Sequence, residues 1–355
     1  MDNITINDSV YLPPFKLSSS EILNKSIVIY GSRGSGKSVI CKDIMYRLKN
    51  EIPCAIVFNS SESSNGCFST LVYKPFLYDH IELKILEDVW KRQESITEIY
   101  KKVNDIEMLT KIILKLKLDN IIDLVLKIDK RKEQIADKLQ DKIESETTFL
   151  AEMNKLNDKF NDLKLTILKG VIKKIKKKIK TNEVNRESLS KEELDIIKFV
   201  DINPNILLIF DDCAAELKKF NKTDILRKMF YRSRHVHISF IITAQDEIDL
   251  DASLRKNANI TILCDGNCAV GYFDRNSNSF GKKLKHITKE ISEVIFSSNH
   301  INTKLVYNKD GADKLMYYVA NVHNNFIFGS SCMLAFSNKI IKDKDHDISI
   351  IVKRI

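Results

Sequence analysis

The chain has 355 residues, enough for one large domain or two ordinary ones, and 43% of them are hydrophobic, as expected of a globular protein with a real core. The formal charge of +9 fits an anionic partner such as nucleic acid. No stretch approaches the roughly 18 apolar residues of a membrane span, and the N-terminal MDNITINDSVYLPPF has neither the basic start nor the apolar run of a signal peptide. The seven cysteines form no CxxC pair, and Cys264 and Cys268 have no second ligand pair nearby, which argues against a zinc site and for buried thiols in a reducing compartment, cytosolic or nuclear.

The first predicted strand is Ser26–Tyr30 (SIVIY), which feeds the loop GSRGSGKS; Val39–Leu48 then reads as a helix. A second strand is expected at Cys54–Asn59 (CAIVFN). Between Pro75 and Pro204 the only glycine is Gly170, and breakers this sparse favour long helices. In residues 91–200 apolar side chains recur at three- and four-residue steps: Ile106, Leu109, Ile113 and Leu116, then Leu124, Ile128, Ile135, Leu139 and Ile143. A second series runs Met153, Leu156, Phe160, Leu163, Ile167. The spacing predicts an inserted helical hairpin or a small helical subdomain. Residues 101–200 carry 24 Lys/Arg against 18 Asp/Glu, so most of the net charge lies there. Within it, Val171–Lys180 (VIKKIKKKIK) sets six lysines around Ile172, Ile175 and Ile179. Such a segment can bind phosphates through charge, lie on an acidic membrane surface, or simply be a solvated helix face.

Strands resume at Asn205–Phe210 (NILLIF), Ser239–Thr243 (SFIIT) and Asn259–Cys264 (NITILC), with helices at about 216–234 and 247–257 between them. Short, antiparallel strands are expected at Leu315–His323, Asn325–Phe336 and Ile348–Val352. Strands alternating with helices predict an α/β fold with a mostly parallel, helix-flanked central sheet. The expected division is 1–90 and 201–355 as the two halves of the core, with 91–200 inserted.

Gly31-Ser32-Arg33-Gly34-Ser35-Gly36-Lys37-Ser38 fits GxxxxGK[ST], and Val39 opens the helix that follows. Glycines reach backbone angles that let successive N–H groups converge on phosphate oxygens, and the helix N-terminus favours the anion. Lys37 reaches the β/γ-phosphates and Ser38 offers its hydroxyl to Mg2+. An apolar strand before the loop and a helix after it supply the context that this P-loop NTPase motif requires. Asp211 and Asp212 end an apolar strand, where ligands of open α/β sheets sit; Asp211 would hold Mg2+ and Asp212 would orient the attacking water, with Glu216 a second candidate for that task. Gln245 ends the strand Ser239–Thr243 with an amide that can both donate and accept, suited to sensing a γ-phosphate. Arg232 and Arg234 precede that strand and Arg255 follows it; an arginine offered to a neighbouring subunit's γ-phosphate would come first from Arg234 and second from Arg255. His235 and His237 read as structural.

The order of these parts resembles the viral genome-packaging ATPases of the poxvirus and giant-virus type, in the HerA/FtsK-like branch of P-loop ATPases. The resemblance rests on the GSGKS loop, the strand ending Asp211-Asp212, and Arg234-His235 before the strand ending Thr243-Ala244-Gln245. Arg255 with Ile260–Cys264 and the segment 73–93 add to it. It covers roughly 20–93 and 200–265, leaves out the helical middle, and departs at Asp212, where HerA and FtsK relatives commonly carry Glu. The resemblance implies an ATP- and Mg2+-dependent motor, a homo-oligomeric ring, that drives double-stranded DNA into a capsid, meets capsid or virion assembly proteins, and works in the host cytoplasm or viral factory. Two other readings stand beside it. A coiled-coil chromosome or repair ATPase also separates its nucleotide motifs with helices, but needs an LSGGQ-like signature that Ser188-Leu-Ser-Lys-Glu-Glu does not supply. A nucleotide-gated interaction protein would use the helical insert as a docking arm.

Overall fold

A computed structural model describes residues 4–7, 10–143, 145–181, 188–276, 289–297, 302–311 and 314–328. Two short strands, β1 (Ile4–Asn7) and β2 (Val10–Leu12), pair antiparallel ahead of α1 (Ser19–Ile22). Then come β3 (Ser26–Tyr30), α2 (Lys37–Leu48), β4 (Cys54–Asn59), α3 (Glu62–Asn65), β5 (Leu77–Tyr78) and α4 (Leu83–Val103). Four further helices follow: α5 (Ile106–Lys115), α6 (Asp119–Gln140), α7 (Glu146–Lys180) and α8 (Lys191–Lys198). The chain continues through β6 (Ile206–Asp211), α9 (Ala214–Phe220), α10 (Asp224–Arg232), β7 (Ile238–Ala244), α11 (Ala252–Asn257), β8 (Ile260–Leu263) and α12 (Gly266–Arg275), and the last described strands are β9 (Thr303–Asn308) and β10 (Leu315–Val319). Residues 1–94 and 204–355 make one unit and residues 95–203 another.

In the first unit, eight strands form one sheet in the order β10-β9-β8-β3-β7-β6-β4-β5. β8, β3, β7, β6, β4 and β5 run parallel, and β9 and β10 add on antiparallel. The inner strands are covered on both faces, so every residue of β3, β6 and β7 is buried, and near-continuous aliphatic runs were the right chemistry for them. Ile29, Ile209 and Ile241 are each fully buried, and truncation of such a side chain to Ala costs about 2–5 kcal/mol. The expected strand at Leu315–His323 is β10, and it stops at Val319. Residues 325–328 are not strand, and 329–355, which include the remaining strand expectations and Cys332, lie outside the described residues. β9 was not expected: its TKLVYN has too few apolar residues to stand out.

In the second unit, α5, α6, α7 and α8 enclose a core of their own that includes Leu109, Ile113, Leu168, Ile172 and Ile196. In α6 the expected Leu124 is 41% exposed and its neighbour Val125 is buried instead; in α7 the expected stripe holds through Phe160 (8% exposed) and then changes phase: Leu163 is 46% exposed, while Leu168 and Ile172 are fully buried. Lys164 takes the inward-leaning position instead and pairs with Asp129. The lysine-rich end of α7 buries Ile172 and Ile175, and Lys173 and Lys176 pair with Asp201. Among the described residues no helix is long and apolar enough to cross a membrane.

Candidate nucleotide site

The parallel strands end together, and their carboxyl edges carry the polar residues. β3 runs into the loop Gly31–Gly36, and α2 begins at Lys37. Gly36 has φ 95°, a left-handed angle that L side chains resist. Gly31 is demanded by space: a Cβ there would collide with Ser35 Oγ and lie 2.6 Å from Cys264 Cβ. Lys37 folds over the loop, its Nζ donating to Gly31 O (2.7 Å) and Ser32 O (3.1 Å). Ser32 N in turn donates to Asp265 Oδ2 at 2.7 Å, and Asp265 also caps α12 through Cys268 N (2.9 Å).

Asp211 is the last residue of β6 and is buried. Ser38 Oγ donates to its Oδ2 at 3.2 Å, and Thr243 Oγ1 donates to its Oδ1 at 2.7 Å. Burial pushes the Asp211 carboxyl above its ordinary range; the Thr243 and Ser38 hydroxyls oppose that, and the Asp212 charge adds to it. A buried carboxylate with only neutral hydroxyl donors is a favourable place for a cation, and the Ser38 and Asp211 oxygens are the hard donors that Mg2+ prefers. Asp212 stands just beyond the strand with φ 56°, an unusual angle for a residue with a side chain. Its N–H donates to Thr243 Oγ1 (3.0 Å) and its carbonyl accepts from Ser60 Oγ (2.7 Å). Both backbone groups are thereby fixed while the side chain remains exposed.

Loop, Ser38, Asp211 and Asp212 therefore come together. Gln245, exposed just past β7, borders a cleft of about 480 Å³ that Ser32, Arg33, Asp246, Asp265 and Cys268 also line. Glu216 is engaged elsewhere, accepting from Ile81 N at 2.7 Å. Arg255 Nη1 donates to Glu247 O at 3.2 Å and lies 3.5 Å from the buried Glu247 carboxylate. Arg234 is exposed, and among the described residues its Nε meets the ring of its neighbour His235 at 3.5 Å. Two residues that sequence reasoning passed over take part: Thr243, which joins both aspartates, and Asp265, which joins the loop to α12. A hydroxyl at the carboxyl end of the aliphatic run ISFIITA, the edge where ligands of such sheets sit, was the available signal for Thr243.

No family model matches the sequence. Among solved structures, the genome packaging NTPase B204 of Sulfolobus turreted icosahedral virus 2, in complex with ATP-gammaS, aligns at 13% identity with a TM-score of 0.37, covering 86% of this chain and 100% of that one, a likeness too remote to weigh. The uncharacterized protein B354L of African swine fever virus is 29% identical over 364 aligned positions, 97% of each chain. The uncharacterized protein L437 of Acanthamoeba polyphaga mimivirus is 20% identical over 312, covering 87% of this chain and 77% of that protein. The chain is similar to these viral proteins over most of its length, and its parallel sheet with a glycine-rich loop between β3 and α2 is the P-loop nucleoside-triphosphatase fold.

Proposed function

We propose that the chain is an ATP-hydrolysing motor that moves double-stranded viral DNA into a capsid, working as a homo-oligomeric ring. One observation carries the enzymatic part: Ser38 at the start of α2 and Asp211 at the end of β6 lie 3.2 Å apart although 173 residues separate them. That juxtaposition supports a triphosphate cradled by Gly31–Ser38, with Lys37 leaving the Gly31 and Ser32 carbonyls for the β/γ-phosphates. Mg2+ held by Ser38 and Asp211 would neutralise charge on those phosphates. Asp212 accepts a hydrogen bond from the water whose oxygen attacks the γ-phosphorus; the bond from that phosphorus to the bridging oxygen breaks, and the bridging oxygen leaves with ADP. The Asp212 backbone, held by Thr243 and Ser60, fixes where its side chain starts. Gln245 reads the state of the γ-phosphate, and Arg234 serves a neighbouring subunit, with Arg255 the second choice.

The DNA part rests on the motif order and on the basic charge, which attracts duplex phosphates whatever the base sequence. The separate core of residues 95–203 favours this reading over a coiled-coil chromosome ATPase, whose arms bury only a seam between two helices. The decisive measurement is ATP turnover by purified protein with and without duplex DNA. Wild type hydrolyses ATP faster with DNA, Lys37→Ala abolishes turnover, and the stimulation weakens as salt rises. Turnover that ignores duplex DNA would favour the nucleotide-gated interaction protein, and no turnover at all would remove the enzymatic reading.

A further inference from the structure

β9 is antiparallel to β8, pairing Leu305 with Leu263 and Asn308 with Ile260. The first residues of β9, not its last, therefore lie at the edge of the sheet where the parallel strands end. Lys304 is the second residue of that strand, and its Nζ donates to Ser35 O at 2.9 Å and to Cys264 O at 3.3 Å. The ammonium group also lies 3.7 Å from where a Cβ on Gly36 would stand. One lysine thus ties the phosphate loop to the end of β8. Directly across the hairpin, Tyr318 of β10 is paired with Lys304, so both side chains share a face. The Tyr318 hydroxyl donates to Asp43, a fully buried residue of α2. The hairpin therefore grips the loop at one point and its helix at another.

The grip on Ser35 has a chemical consequence. Ser35 C=O and Gly36 N–H belong to one planar trans peptide and point in opposite directions. Holding the carbonyl on Lys304 turns the Gly36 N–H away from it. We propose that Lys304 is a positioning residue of the nucleotide site: it orients the Ser35–Gly36 peptide so that the Gly36 N–H is presented to a bound phosphate, and it adds a second positive charge beside that of Lys37. This rests on the reading of the loop as a triphosphate site. The ammonium favours ATP and ADP alike, because it acts on the loop's shape before chemistry begins.

Lys304→Met keeps the aliphatic stem and removes the charge and donors; Lys304→Arg keeps both. Two readouts on the full chain separate the possibilities: hydrogen exchange of the loop amides without nucleotide, and binding of fluorescent ATP and ADP analogues with Mg2+. In Lys304→Met, loop exchange quickens and both nucleotides bind about tenfold more weakly, which is about 1.4 kcal/mol, while Lys304→Arg stays within about threefold of wild type. Tyr318→Phe, which loosens the hairpin's other hold by removing one of its bonds to Asp43 while those of Asn321 N and His323 remain, leaves nucleotide affinity within about twofold. Affinity unchanged in Lys304→Met overturns the assignment, as does an arginine variant no better than methionine, or a Tyr318→Phe loss equal to that of Lys304→Met, which would make the effect one of hairpin docking. Wild type that binds no nucleotide would sink the ATPase reading, and the exchange arm alone would then decide whether Lys304 braces the loop.

Discussion

Thr243 is fully buried and serves two partners at once, donating to the Asp211 carboxylate and accepting from the Asp212 N–H. Valine has its shape but neither its donor nor its acceptor, so Thr243→Val isolates those two bonds. A hydrogen bond to a charged group is worth about 1.5–3 kcal/mol, so the valine variant melts lower, and ATP turnover at a temperature where it stays folded falls roughly ten- to a hundredfold; Thr243→Ser recovers most of both. Steady-state turnover beside melting curves checks this, and a valine variant at wild-type rate would show that Asp211 needs no such brace. The loop and the two aspartates were legible because their chemistry demands fixed residue types at fixed local spacing. Thr243 and Lys304 were not, for a physical reason. A threonine in a strand is ordinary β-branched filling, and a lysine in a strand is ordinary edge decoration. What brings them into the site is partners 32 and 269 residues away, which only the sheet order brings near.

At the scale of elements, amphipathic spacing revealed the helices of residues 95–203 but mistook the phase of α7 beyond Phe160, because Leu163, Leu165, Ile167 and Leu168 offer competing stripes. The structure distinguishes them: Ile172→Ala destabilises this unit by about 2–5 kcal/mol, whereas Leu163→Ala, at an exposed site, changes it by about 0.5 kcal/mol or less, as denaturant melts of the two variants will report. The same unit has a built-in acid limit at α8. Glu193 completes a capping box with Ser190 and pairs with Lys115 at 2.8 Å. Burial alone would raise the Glu193 carboxyl, yet the Lys115 ammonium and the Ser190 N–H hold it below the usual range. A folded value below the unfolded one means that the stabilisation is whole above the ordinary carboxylate range and fades as pH falls through the lowered value. Melting temperature from pH 7 down to pH 3 therefore drops less steeply for Glu193→Gln than for wild type, although the variant starts lower at pH 7. Parallel slopes would assign the acid sensitivity to other groups. β9 shows the opposite limit of pattern reading: a half-polar strand becomes visible only once β8 and β10 are there to pair with it.

For the whole molecule, the two arginines differ in what they touch. Arg255 is spent inside its own chain on Glu247, which Arg275 also approaches at 3.4 Å. Arg234 is exposed in the turn that precedes the amino end of β7, and so is free to serve another copy. In a ring, a working interface needs an intact phosphate loop on one subunit and an intact arginine on the next. Lys37→Ala lacks the first and Arg234→Ala lacks the second, so each is inactive alone. Mixed at equal amounts and assembled at random, about one interface in four pairs a good loop with a good arginine, so turnover returns to roughly a quarter of wild type and falls away on either side of equal mixing. Arg255→Ala, whose defect stays within its own subunit, gains nothing from the same mixing beyond simple dilution. DNA-stimulated ATPase assays across a mixing series read both curves. A flat line for Arg234→Ala would mean that its guanidinium reaches no neighbour, and a domed curve for Arg255→Ala would transfer the role there, requiring Glu247 to release it when subunits meet.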